Sequence, residues 1–233
     1  MAMRKVSILR RDSLKFEYAK EIPALKQIKS RDLKSGRVYV IGKNRYPSIT
    51  TVLSILSEEA IEKWRKRVGD READHISKMA SESGSELHLM LEQYVDGQSP
   101  VTKDFRTLDL YLQIQKELDK HLGKVYYQEA GLYSDVIKIA GRTDLIAEWD
   151  SKLSIIDYKS SKRTKSLDDI EHYFIQACFY SMALEEQTGL KARQLVIVIG
   201  NDDNASASVF VQDRRDYIKK LVDVKRYWDK QKI

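Results

Sequence analysis

Asp144, Asp157 and Lys159 are spaced so that one β-hairpin would gather them. The two aspartates are equidistant from the dipeptide Asp150-Ser151, and a two-residue turn there sets them directly opposite each other. Directly opposed Cβ atoms lie about 4.5–5.5 Å apart. Lys159 follows Asp157 by two residues, and strand alternation returns it to the same face. Leu145, Ile146, Ala147, Leu153, Ile155 and Ile156 occupy both faces of this hairpin, the pattern of central strands. Two carboxylates so close in so apolar a setting repel. A shared proton, a protein cation or a divalent ion could compensate. Lys159 neutralises one charge and not two, so Mg²⁺ or Mn²⁺ is the economical choice. Such an ion would polarise a bound oxygen and lower the pKa of coordinated water. The structural alternative is an ion-pair cluster with Lys159 or Arg142.

Other residues could join such a site. His88 and Glu92 are four apart on one helix face, flanking Leu87, Leu91 and Tyr94. Gln176 and Tyr180 share a second helix flank in the same way. Trp64 lies among Lys63, Arg65, Lys66, Arg67 and Arg71, a mixture of aromatic surface and positive charge suited to single-stranded DNA. A solvated basic helix with Trp64 in the core is the competing reading. Ser160 and Ser161 could donate to phosphate or cap the next turn, and Thr50 could touch DNA or cap a helix.

The pattern predicts the elements that must carry these groups. Residues 1–35 read as loop and short extended pieces, Arg37–Ile41 as a strand and Gly42-Lys43-Asn44 as a turn. Ser48 or Thr50 is the N-cap of the next helix. Glu58–Ser81, Gly84–Val95 and Thr102–Leu122 read as helices, the last stopped by Gly123. Lys124–Leu132, Val136–Ala140, Arg142–Trp149 and Leu153–Ser160 read as successive strands. A helix over Leu167–Gln187, strands over Arg193–Ile199 and Ser206–Val211, and a helix over Asp213–Lys230 complete the chain. The fold class is α+β: a central mixed sheet flanked by helices, with an N-terminal helical region over residues 1–123 and a core over 124–233.

Asp144 followed by Asp157-Tyr158-Lys159 resembles the core motif of the PD-(D/E)XK nuclease superfamily, in its G-x-x-D…D-x-K, RecB-like form. Gly84-Ser85-Glu86-Leu87-His88…Glu92 resembles the upstream histidine motif of that group, and Gln176…Tyr180 its Q-x-x-x-Y motif. Tyr46–Leu53 and Trp64–Gly69 extend the likeness to the mitochondrial genome maintenance exonuclease family and its phage-encoded relatives. The resemblance implies a metal-dependent DNA exonuclease acting on single strands or ends, threaded beneath the N-terminal helices. It implies His88, Asp144, Asp157 and the Tyr158 backbone carbonyl as metal ligands, Glu129 as a further ligand or a contact to ligand water, and Glu92 as an orienting group; an exposed strand carboxylate is the competing reading of Glu129. Lys159 would orient the attacking water and stabilise the transition state. Gln176 and Tyr180 would contact the nucleic-acid backbone or the lysine region. A structure-specific endonuclease and a non-catalytic nucleic-acid-binding module are the alternatives.

Composition sets bounds. The 233 residues carry 42% hydrophobic residues, enough for a sizeable core. A formal charge of +6 is compatible with a polyanionic partner. The single cysteine, Cys178, excludes an intramolecular disulfide and a four-cysteine iron–sulfur cluster. No apolar run approaches the roughly 20 residues of a membrane span. The basic start, Met1–Arg11, has apolar stretches too short for a signal peptide. The expected setting is the cytoplasm of a bacterial or phage-infected cell.

Overall fold

The computed structural model describes residues 15–231; the basic start lies outside them. A small antiparallel sheet comes first: β1 (Lys29–Leu33), β2 (Gly36–Ile41) and β3 (Asn44–Pro47). Helix α1 (Ile49–Leu53) follows, and the Ser48 hydroxyl caps it by accepting the Thr51 N–H at 3.0 Å. Helices α2 (Glu58–Val68), α3 (Asp70–Val95) and α4 (Phe105–His121) lead to the main sheet. Its strands β4 (Leu122–Ser134), β5 (Ile139–Trp149) and β6 (Lys152–Ser161) form an antiparallel meander. Helix α5 (Glu171–Thr188) crosses over to β7 (Gln194–Asn201), which is parallel to β6. β8 (Ser208–Asp213) returns antiparallel, and α6 (Ile218–Gln231) closes the described chain. The order β4-β5-β6-β7-β8 makes the expected mixed sheet.

Period-2 alternation builds a core on each face of this sheet. Ile146, Ile155, Leu195, Ile197 and Ile199 pack under α5, α6 and α1. Leu145, Ala147, Ile156, Val196 and Val198 pack under α3 and α4. None of the described helices is long and apolar enough to cross a membrane.

The β5–β6 turn falls on Asp150-Ser151, both at positive φ (49° and 64°), the conformation of a two-residue I′ hairpin. His121 pins it, with Nδ1 2.8 Å from Asp150 Oδ1 and its ring stacked on Trp149. The ladder then runs from Trp149↔Lys152 to Leu145↔Ile156 in the expected register.

Several elements differ from the sequence pattern. The helix expected over Glu58–Ser81 breaks at Gly69, whose φ of +87° favours glycine, and Gly84 sits inside α3. A helical glycine costs only about 1 kcal/mol, which the packing of α3 overcomes. Gly123 does not stop α4; His121 ends it and Gly123 is already in β4. Val136–Ala140 and Arg142–Trp149 are not separate strands, because Ile139 through Trp149 is one strand with Gly141 inside it. The N-terminal part contributes a three-stranded sheet as well as helices.

At Gly141, β5 lies close against α1 and α5. A Cβ there would lie 2.7 Å from the Tyr180 ring and 3.0 Å from Ile49 Cγ2. Gly141→Ala is therefore expected to cost about 1–3 kcal/mol by overpacking. Urea unfolding should show this as a lowered midpoint; an unchanged midpoint would mean that the close approach is not a constraint.

Candidate active site

The site forms where the sheet stops being regular. Beyond Leu145↔Ile156, β5 and β6 part, and Asp144 Oδ2 accepts the Tyr158 backbone N–H at 2.8 Å. On the other side, β4 pairs Gln128 with Leu145 and Ala130 with Thr143, which puts Glu129 level with Asp144. Two earlier register shifts in β4, between Leu122 and Val125 and between Val125 and Tyr127, set that alignment. Glu129 itself has φ 48°, a backbone state uncommon for a non-glycine residue. Three acids thus share one level of three neighbouring strands: Glu129, Asp144 and Asp157.

Helix α3 brings His88 over them, with its Nδ1 3.1 Å from Asp144 Oδ1. One ligand atom each from His88, Glu129 and Asp144 lies within 4.8 Å of the others, a grouping able to hold a metal ion. Imidazole nitrogen with two carboxylates suits a divalent cation. Asp157 stands beside this trio. It is 1% exposed, ion-paired with Lys159, and accepts Gln176 Nε2 at 3.2 Å. Lys159 also lies over the Tyr173 ring, with Nζ 5.1 Å from its centroid.

The electrostatics follow from this crowding. Burial first, then the fields of Asp144 and Glu92, push Glu129 up to about 7. Burial would raise Asp144 too, but His88, Lys159 and the Tyr158 N–H together lower it. Burial, opposed by Lys159 and reinforced by Asp144, pushes Asp157 up to about 6. Burial works against the charges of Lys159 and His88, yet the carboxylates outweigh it and raise both. The carboxylates thus favour the charged form of His88, which offsets part of their own charge.

The other expected site residues separate into groups. Glu92 lines the same cleft of about 470 Å³ as His88, Glu129 and Asp144. Tyr158 points its ring into the α3–α4 core, edge-on to His88, while its N–H serves Asp144. Gln176 and Tyr180 turn inward, toward the acid that pairs with Lys159. They are 8% and 2% exposed, and Gln176 Nε2 bonds both Tyr180 Oη, at 3.2 Å, and Asp157. They buttress an acid from below. Ser161 accepts the Arg163 N–H and donates to its carbonyl in a local turn, while Ser160 continues the β6–β7 ladder. Arg65 is held by Asp70 and Asp74, whereas Trp64 is half-buried and Arg67 exposed. Helix α2 buries no residue fully, so Trp64 is not a core residue. Thr50 is exposed, with its hydroxyl 2.8 Å from the Ser48 hydroxyl.

Tyr173 was not singled out as a site residue by the sequence. The available signal was its position three residues before Gln176, which returns it to the same helix face. Arg142 is a further member of the cleft wall, 3.7 Å from Glu129 and half-exposed.

Three comparisons bear on this arrangement. A family model of the PD-(D/E)XK nuclease superfamily matches residues 54–227. Mitochondrial genome maintenance exonuclease 1 of Mus musculus is 23% identical over 209 residues, 82% of this chain. The chain spans 61% of that relative's length. The crystal structure of SSO0001 aligns with a TM-score of 0.45 at 16% identity, over 79% of this chain and 77% of that one.

A metal held by His88, Glu129 and Asp144 must displace protons from His88 and Glu129, the two whose pKa is raised. Mn²⁺ titration by calorimetry in buffers of differing ionisation enthalpy should show net proton release near pH 6, with the Glu129 share lost as pH rises through about 7. Affinity should fall as pH drops through about 7, where Glu129 takes up its proton. Glu129→Gln should weaken binding by at least about tenfold, since even outer partners of ligands are worth roughly 10–100-fold. Affinity independent of pH and of this substitution would exclude Glu129 as a ligand.

Proposed function

The chain belongs to the PD-(D/E)XK nuclease superfamily, and on that premise we propose that it is a Mg²⁺- or Mn²⁺-dependent DNA exonuclease acting on single strands or strand ends. The observation that carries this reading is the meeting of His88, Glu129 and Asp144 at one open cleft, with the Asp157–Lys159 pair buried behind them. The exonuclease named among its relatives supports the same direction. The proposed setting is the cytoplasm of a bacterial or phage-infected cell.

His88, Asp144 and Glu129 would hold the metal, with Asp157 and the Tyr158 carbonyl as the remaining candidate ligands and Glu92 orienting the group. When bound, such an ion supplies Lewis-acid stabilisation of the phosphoryl oxygens and lowers the pKa of coordinated water. The protein's own part falls chiefly to Lys159. Asp157 and Asp144 keep its ammonium charged, so it has no lone pair for general-base work. It can instead donate to a non-bridging phosphate oxygen and to the incoming water, favouring the transition state in which negative charge builds on phosphorus-bound oxygens. Asp157 and the Tyr173 ring fix where that charge sits.

Strand guidance would come from the N-terminal helices. Helix α2 and the first half of α3 bury only Ala73, so they extend beside the cleft whose wall includes Ser81, Gly84 and Ser85. Trp64 and Arg67 would offer this arm's stacking and phosphate contacts, with Thr50 and Ser160 as further polar contacts.

Cleavage of end-labelled linear single strands and closed circles, with Mg²⁺, Mn²⁺ or EDTA, tests the reading. Wild type should degrade the linear strands only, and only with metal. Lys159→Ala and Asp144→Asn should each lose roughly 10²-fold or more in rate, the scale of losing one transition-state donor. Cutting of circles would replace the exonuclease with an endonuclease. Metal-independent DNA binding with no cleavage would replace it with a binding module.

A further inference from the structure

A second cleft opens from the first, and the two share Glu129 and Arg142. It has a volume of about 590 Å³, within the range of about 300–1,000 Å³ of small-molecule sites. β4 is an edge strand, and the segment before β1 runs along its open side to make the outer wall. That segment is fastened there: Val125 exchanges backbone hydrogen bonds with Glu17 and Ala19, each 2.8 Å, and Tyr127 Oη donates to the Pro23 carbonyl at 2.6 Å.

The chemistry changes between the two compartments. The first has three acids on its wall: Glu92, Glu129 and Asp144. Among the described residues the second has none beyond the shared Glu129; both share Arg142, to which the first adds Arg37 and the second Lys26. Its aromatic surface comes from Tyr18, Tyr126 and Tyr127. Adjacent strand residues ordinarily face opposite ways, but the register shift between Val125 and Tyr127 allows Tyr126 and Tyr127 to line one cleft. Gln128 is fixed by 2.7 Å bonds to Tyr18 Oη and Asp96.

We propose that this second cleft, between Lys26, Tyr126, Tyr127 and Arg142, is a nucleotide subsite that takes the terminal nucleotide on the far side of the scissile phosphate. The proposal rests on the nuclease reading for its occupant. Arg142 stands at the junction and takes the phosphate of that nucleotide in place of its long contact with Glu129. Lys26 adds a second cation, and a tyrosine face takes the base. Base–aromatic stacking is tolerant of sequence, which fits a site that must accept each nucleotide in turn.

Calorimetric titration of the full chain in Mg²⁺ with thymidine 5′-monophosphate and 3′-monophosphate, thymidine and inorganic phosphate tests this directly. At least one monophosphate should bind, more tightly than thymidine and phosphate. Lys26→Glu and Tyr126→Leu should each weaken it by about fivefold or more, the lower end of one stacking contact. Lys191→Glu, the same charge change at the other end of the sheet, should leave it unchanged. Lys26 is exposed, so its substitution keeps the test sound even if Tyr126→Leu unfolds the protein. Equal binding of phosphate and both nucleotides, no nucleotide binding, or indifference to Lys26→Glu overturns the subsite. The titration needs no cleavage, so a failed cleavage assay counts against the nuclease reading alone.

Discussion

Like-charge repulsion among Glu129, Asp144 and Asp157 governs the arrangement of everything around them. Carboxylate oxygens of Glu129 and Asp144 approach within 4.8 Å. At that separation two unit charges repel by about 3 kcal/mol at an effective dielectric of about 20. Each acid receives a different compensation. Asp144 has His88 and the Tyr158 N–H. Asp157 has Lys159 and Gln176. Glu129 is left with the long Arg142 contact and is the one pushed up to about 7. The least compensated acid therefore faces the cleft, where a cation can reach it.

The surrounding layers hold this tension in place. α5 presses Gln176 and Tyr180 against Asp157 from one face of the sheet. α3 lowers His88 onto Asp144 from the other, with Tyr158 packed edge-on behind the imidazole. The Tyr158 hydroxyl is buried and has no hydrogen-bond partner among the described residues. Such an orphan costs about 1–3 kcal/mol, a local sacrifice next to the site in an otherwise apolar cluster.

Some of this was legible in the sequence because it depends on local rules. The I′ turn at Asp150-Ser151, the hairpin register and the Ser48 cap each follow from a few neighbouring residues. The mixed sheet flanked by helices followed from the order of apolar patterns. Other features depend on what happens between elements. The level of Glu129 is set by two register shifts in β4, and such shifts leave no periodic trace. The break at Gly69 rather than Gly84 reflects packing along α3, which single-residue preference does not contain. Gln176 and Tyr180 were recognisable as a pair, yet their inward direction depends on Gly141 allowing α5 close to β5.

The β5–β6 hairpin has a consequence for how this chain can vary. Its tight turn counts residues outward in both strands until it reaches Asp144 and Asp157. One residue added to each strand preserves side-chain direction relative to the partner strand, whereas one added to a single strand reverses every side chain beyond it. The positive-φ turn limits which residues it can hold, and the ladder fixes the parity of its length. Relatives should therefore differ in hairpin length by matched steps, while an unmatched single insertion should survive only with a compensating bulge before the acids. The turn, remote from the reacting end, acts as the ruler from which the acids are measured.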